Sequence, residues 1–133
     1  LQAMILTDGE KMIKTPTYYV FDMYQKHMDA DLVEGFGEEI ENVSYTASIK
    51  NGELTVSIVN YDKDKSQDIE FDLDNKYSDI VYSKVVTADK IDSHNTFDNP
   101  DVVTEQDFDG AELSNNKVSV KMAPKSVVTI TLK

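Results

Sequence analysis

The stretch ASIKNGELTVSIVN, Ala47 to Asn60, alternates apolar and polar residues on either side of Asn51-Gly52. Successive strand side chains point to opposite faces, so this period of two puts Ala47, Ile49, Leu54, Val56 and Ile58 on one face. Both central positions of a type I′ turn need positive φ, and Asn-Gly accepts it at the least steric cost. A hairpin with one apolar face must cover that face with a second layer. More strands are therefore required, and the sequence supplies them. Val43 and Tyr45 extend the alternation backwards, and Ile69, Phe71 and Leu73 share a face within Asp68 to Leu73. Further strands are predicted at Ile80 to Thr87, Lys117 to Lys121 and Ser126 to Leu132. Asn115-Asn116 turns the chain between Leu113 and Val118, because asparagine tolerates the left-handed region. Short strands separated by turn signals predict a mainly β domain, an antiparallel β-sandwich of jelly-roll-like form.

The beginning of the chain has another period. Thr15 to Asp29, TPTYYVFDMYQKHMD, reads as a helix with Thr15 as N-cap and Pro16 at the first helical position. Tyr18, Phe21, Tyr24 and Met28 recur at steps of three and four, and this stripe needs an apolar partner, either the sandwich or a second copy of the chain. Ahead of it, LQAMIL (Leu1 to Leu6) has the composition of a buried strand running into Thr7-Asp8-Gly9. The expected organisation is a strand-helix segment with a linker over residues 1–36 and a sandwich over 37–133.

Size and charge limit the function. A chain of 133 residues supports one core, burying roughly two-thirds of the unfolded surface. With 25 acidic against 13 basic residues the net charge is -12, which opposes binding to a phosphate backbone; no nucleic-acid partner is expected. No apolar run approaches the roughly 20 residues that span a bilayer, so no membrane partner is expected either. There is no cysteine, hence no disulfide, thiol nucleophile or cysteine-bound metal. The sequence opens on Leu1, as an internal fragment would.

Chemical motifs are sparse. Asp62, Asp64 and Ser66 imitate the start of a calcium loop, but Gln67 stands where the glycine belongs and Leu73 where the closing acid belongs. Asp92-Ser93-His94 has the residue types of a hydrolase triad, yet neighbours on an extended loop point apart. His27 and His94 are too distant in sequence to form a recognised zinc motif, and no metal or cofactor is expected. Asn42-Val43-Ser44 fits a glycosylation acceptor. Glu38, Glu39 and Glu41 fall in the linker, where nothing marks one carboxylate as buried and protonated in the way a glycosidase acid must be.

One segment obeys neither period. VVTADKIDSHNTFDNPDVV (Val85 to Val103) resembles a TADxIxxHNTFxNPxxV signature near the carboxyl end of glycoside hydrolase family 51 α-L-arabinofuranosidases. LQAMILTDGEKMIKTPTYYVFDMYQKHMDA (Leu1 to Ala30) resembles the segment closing that family's catalytic (β/α)8 barrel, and APKSVVTITLK (Ala123 to Lys133) its last strand. The hairpin region follows the family more loosely, so the resemblance covers nearly the whole chain. Departures fall in the loop: Lys90 for an acid, Asp92-Ser93 for Asn-Ala, Thr104-Glu105 for Lys-Pro.

The resemblance implies a strand-helix piece of the barrel followed by the carboxyl-terminal sandwich of a retaining arabinofuranosidase acting on arabinose-containing oligosaccharides, with a cytoplasmic parent favoured. The family's two catalytic glutamates lie on earlier barrel strands, and no segment here resembles their surroundings. No catalytic residue is therefore expected in this chain, which should be inactive alone. Gln2 matches a family glutamine that contacts the arabinose ring and is the one substrate-binding candidate. The implied partner is the barrel of the same polypeptide, and a homo-oligomer is also expected. Asn95, Asp98 and Asn99 of HNTFDNP are expected to satisfy irregular backbone, Pro100 to fix one φ, and Phe97 to anchor the loop. The rival readings are a stand-alone carbohydrate-binding module, which the absence of tryptophan disfavours, and a self-associating interaction domain.

Overall fold

The computed structural model describes residues 3–35, 38–74 and 77–133. Among these residues the strands are β1 (Ile5–Asp8), β2 (Lys11–Lys14), β3 (Asp31–Val33), β4 (Val43–Lys50), β5 (Glu53–Asn60), β6 (Gln67–Asp72), β7 (Ile80–Thr87), β8 (Glu105–Asp107), β9 (Ala111–Ser114), β10 (Lys117–Met122) and β11 (Ser126–Leu132). One helix, α1 (Pro16–Tyr24), continues into a 3-10 turn, Gln25–His27. All pairings are antiparallel. A six-stranded sheet runs β3-β4-β5-β11-β7-β8, a three-stranded sheet runs β6-β10-β9, and β1-β2 forms a separate ribbon.

The expected sandwich is present. Leu54, Val56 and Ile58 of β5, Val128, Ile130 and Leu132 of β11, and Val85 of β7 pack against Ile69, Val118, Val120 and Met122 from the smaller sheet. Each fully buried side chain of this kind contributes about 1.5–3 kcal/mol through removal from water. Asn51 and Gly52 have φ of 55° and 83° and join β4 to β5 with Lys50 opposite Glu53, as the Asn-Gly signal required. Asn115 and Asn116, at 51° and 61°, turn β9 into β10 in the same way.

The first thirty residues differ from expectation in two respects. The apolar run at the start was expected to form a buried strand; the strand instead begins at Ile5, extends through Asp8 and pairs with β2, which periodicity did not reveal. Gly9, at φ 58°, turns this ribbon. Ile13 is buried and faces Leu6, while Ile5 and Met12 remain exposed because ribbon residues alternate between two faces and only one meets the rest of the molecule. Thr15 does occupy the N-cap position, but its hydroxyl donates back to Ala3 O at 2.8 Å rather than capping the helix. That bond ties the ribbon to the helix start.

The orientation of α1 is the second difference. Met23 is fully buried against Val86 and Val103, with Tyr19, Val20, Ala88 and Val127 around it. The expected stripe is on the other side: Phe21 is 60% and Met28 61% exposed. The sandwich does not cover Tyr18, Phe21, Tyr24 and Met28 as a continuous face. β3 also belongs to the six-stranded sheet, through Asp31 opposite Ile49 and Val33 opposite Ala47.

Candidate functional site

The six-stranded sheet has one apolar face and one hydroxyl-rich face. Alternation in LTVSIVN and SVVTITL turns Thr55, Ser57, Thr129 and Thr131 away from the core, together with Ser48 of β4. All five are nevertheless buried. They survive burial because they bond to one another: Thr55 Oγ1 lies 3.0 Å from Thr131 Oγ1 and Ser57 Oγ 2.7 Å from Thr129 Oγ1, each a directly opposed pair across β5 and β11. His27 closes the set. Its Nδ1 is 2.7 Å from Ser48 Oγ and its Nε2 2.8 Å from Ser57 Oγ. Burial pushes the imidazole below its ordinary value, since a charged ring here is poorly solvated.

A second polar anchor comes from the irregular loop. Asn95, 5% exposed, donates through Nδ2 to Lys14 O at 2.9 Å and Val103 O at 2.8 Å, and its Oδ1 accepts from Val103 N at 2.7 Å. One side chain thus joins the β1-β2 ribbon to the loop that precedes β8. Thr96 and Asn99 exchange backbone hydrogen bonds at 2.9 and 3.1 Å and close the NTFDN turn. Phe97 is partly buried, whereas Asp98 and Pro100 face solvent.

Outside these anchors lies an open apolar groove of about 510 Å³, lined by Met4, Ile5, Tyr18, Phe21, Tyr24 and Met28, with Asp22 and Gln25 at its rim. Lys14 Nζ stands 4.3 Å from the Tyr18 ring centre, a cation-π contact between ribbon and helix. Residues separated in sequence by a hairpin therefore present one surface.

The sequence candidates divide clearly. Gln2 lies outside the described residues. Asp62 is committed to a turn: its Oδ1 accepts from Asp64 N and Lys65 N, both at 2.9 Å, and its Oδ2 from Asn42 Nδ2 at 3.0 Å. Those backbone bonds, foremost Asp64 N–H, hold its carboxyl below the usual range. Asp92, Ser93 and His94 form no relay, because His94 Nδ1 meets the Asp92 backbone carbonyl at 2.8 Å and Ser93 Oγ accepts from Lys90 N at 3.3 Å. His27 and His94 do not converge, and among the described residues no group of three or more His, Cys, Asp or Glu is placed to hold a metal ion. Nor is any described helix long and apolar enough to cross a membrane. Glu38, Glu39 and Glu41 are exposed.

Sequence reading missed one carboxylate. Glu105, on β8, has a side chain only 19% exposed; its Oε1 is 3.7 Å from Lys84 Nζ, which binds Asp107 at 2.8 Å. Its Oε2 is buried with no hydrogen-bond partner. Tyr82, whose phenol is pushed up to about 12 by burial, then by the charges of Glu105 and Asp22, lies under Lys26 Nζ at 4.5 Å. The signal for Glu105 was the register of β8, three residues too short to be seen by alternation.

A family model described as the alpha-L-arabinofuranosidase C-terminal domain matches residues 1–126. An intracellular exo-alpha-L-arabinofuranosidase of Bacteroides ovatus is 34% identical over 143 residues, covering 99% of this chain and 28% of that protein. The crystal structure of a GH51 arabinofuranosidase from Xanthomonas axonopodis pv. citri superposes with a TM-score of 0.87 at 30% identity, covering 100% of this chain and 29% of that one. A thermostable GH51 enzyme from Thermotoga petrophila RKU-1 shares the fold, with a TM-score of 0.79 at 20% identity over 98% of this chain and 31% of its own. This chain thus spans less than a third of the length of these relatives. With the family model covering the ribbon, the helix and nearly all of the sandwich, the chain belongs to the α-L-arabinofuranosidase C-terminal domain family of glycoside hydrolases.

Proposed function

We propose that this chain is the non-catalytic carboxyl-terminal part of a retaining α-L-arabinofuranosidase, in which residues 1–36 carry the ribbon and helix that complete and dock onto a catalytic barrel, with β3 near their end already joined to the sandwich, and residues 37–133 brace it. The observation that carries this reading is the outward groove of Met4, Ile5, Tyr18, Phe21, Tyr24 and Met28, an apolar surface on the very segment that resembles the barrel's closing strand and helix. Its chemistry suits a protein neighbour better than a sugar, since few polar groups there can meet hydroxyls. In the parent, two glutamates of the barrel hydrolyse terminal arabinofuranosyl linkages by double displacement. Gln2 is the one position in this chain proposed to reach the sugar. The name of the Bacteroides relative supports a cytoplasmic parent. A homo-oligomer built on the same groove is the competing occupant.

Release of arabinose from an aryl arabinofuranoside, assayed with the 133-residue chain and with the complete polypeptide side by side, tests the reading. Only the complete polypeptide should turn over substrate. Cleavage by the short chain, lost on replacing one of its own carboxylates, would refute it. Titration with arabino-oligosaccharides separates the carbohydrate-binding module: saturable binding by the short chain favours the module, and none favours the brace.

A further inference from the structure

We propose that His27 and the hydroxyls it bridges form a proton-sensitive clasp, which holds the helical segment on the sandwich at neutral pH and loosens it on mild acidification. The inference concerns this chain alone and stands whether or not the chain serves an arabinofuranosidase. The ring spans two strands, with Ser48 of β4 on Nδ1 at 2.7 Å and Ser57 of β5 on Nε2 at 2.8 Å, and Ser57 passes the relay to Thr129 of β11 at 2.7 Å. It is thus the single side chain of the 3-10 turn bonded directly into the centre of the large sheet. Ser57 and Thr129 are completely buried while the turn is in place, so in the closed state the His27 ring, not water, is the further partner of Ser57.

A neutral imidazole donates from one nitrogen and accepts at the other, and hydroxyls satisfy either tautomer. A protonated ring donates from both. Ser48 and Ser57 can each accept, and Ser57 can hand its own hydrogen to Thr129, so the bonds persist. What changes is that a positive charge is then held in this seam without a carboxylate. β5 and β11 face the ring with hydroxyls. α1 contributes the Tyr24 ring, centred 5.4 Å away, and Asp22, which is engaged by Gln25 Nε2 at 3.0 Å. Lys26, on the ring's own turn, is held over Tyr82 of β7, and Lys50 of β4 donates to Met28 O at 2.8 Å; both are cations. Asp31 of β3 pairs with Ile49 and so projects from the opposite sheet face to Ser48, Asp29 is exposed, and Glu53 lies roughly 13 Å along β5 from Ser57.

Burial lowers the folded ring below its ordinary 6.5, so the neutral form is the one the folded state favours. The ring's contribution to the attachment is therefore complete above about 6.5 and declines as pH falls from there through the folded value; below both, that contribution is gone, while the packing of Met23 remains. The decisive measurement follows the His27 ring resonance and the amide protection of residues 19–27, corrected for intrinsic exchange, from about pH 8 to about pH 5. The ring should titrate below 6.5, with protection declining in step. His27→Gln keeps one donor and one acceptor but cannot titrate, and its protection should not change with pH. A ring that titrates at or above 6.5, protection indifferent to its titration, or an equal loss in H27Q would overturn the clasp. Should H27Q not fold, the wild-type titration decides by itself.

Discussion

Asn95 uses both amide hydrogens and its carbonyl oxygen inside the protein, on partners in the β2 ribbon and in its own loop. Asn95→Ala would strand Lys14 O and both polar groups of Val103, and should cost about 2–4 kcal/mol in urea unfolding. Asn95→Asp should cost more, because a carboxylate then faces two carbonyl oxygens. The sequence made the type of residue legible: an irregular HNTFDNP run among alternating strands needs side chains that satisfy backbone. It did not disclose which asparagine reaches furthest, since Lys14 is 81 positions away. Tyr82 offers a second residue-level check. Its phenol, raised to about 12 from 10.0 first by burial and then by Glu105 and Asp22, favours the protonated folded form. Stability from this group is complete below pH 10.0 and is lost as pH rises to about 12, so ultraviolet titration should show Tyr82 ionising late, as burial also makes Tyr24, and Glu105→Gln should bring the Tyr82 step earlier.

At the scale of elements, the helix explains both what was readable and what was not. TYYVFDMY is apolar on nearly every side, so Tyr18-Phe21-Tyr24-Met28 and Val20-Met23-His27 are both acceptable stripes at helical spacing. Periodicity finds such a helix and places Thr15 and Pro16 correctly, but cannot choose the face that meets the sheet. The choice falls to partners elsewhere: Val86 and Val103 for Met23, two serines for His27. Met23→Ala should therefore destabilise the chain by about 2–4 kcal/mol, while Phe21→Ala in the isolated chain should stay within about 0.5 kcal/mol. Thermal unfolding of the pair reads this directly; equal effects would mean that the stripes are not distinguished. The Asn-Gly and Asn-Asn turns were legible because positive φ is a local demand. β2, β3, β8 and β9 were not, because strands of three or four residues with charges gain their identity from the neighbour they pair with.

Across the whole molecule, an all-round apolar helix implies two partners. The sandwich supplies one through Met23 and His27, and the groove around Phe21 is left for another. An apolar dye should bind this chain and lose most of its signal in a Phe21→Asp, Met28→Asp variant; if the groove docks on a catalytic barrel as proposed, the same variant should weaken that docking. Unchanged dye signal in the variant would point to a different surface. The sandwich itself was legible from alternation, but the burial of its hydroxyl face was not, because Thr55, Ser57, Thr129 and Thr131 look like a solvated face until they pair across β5 and β11 and a histidine from the helical turn bonds Ser57.

The order β5-β11-β7 has a temporal meaning as well. During synthesis the residues Ser126–Leu132 leave the ribosome after both strands that will flank them, so the middle of the large sheet is filled from the trailing side of the chain. Until then β3-β4-β5 and β7-β8 are two unjoined pieces, each with an open inner edge, and a stop placed before Ser126 should leave an aggregating product rather than a smaller native one.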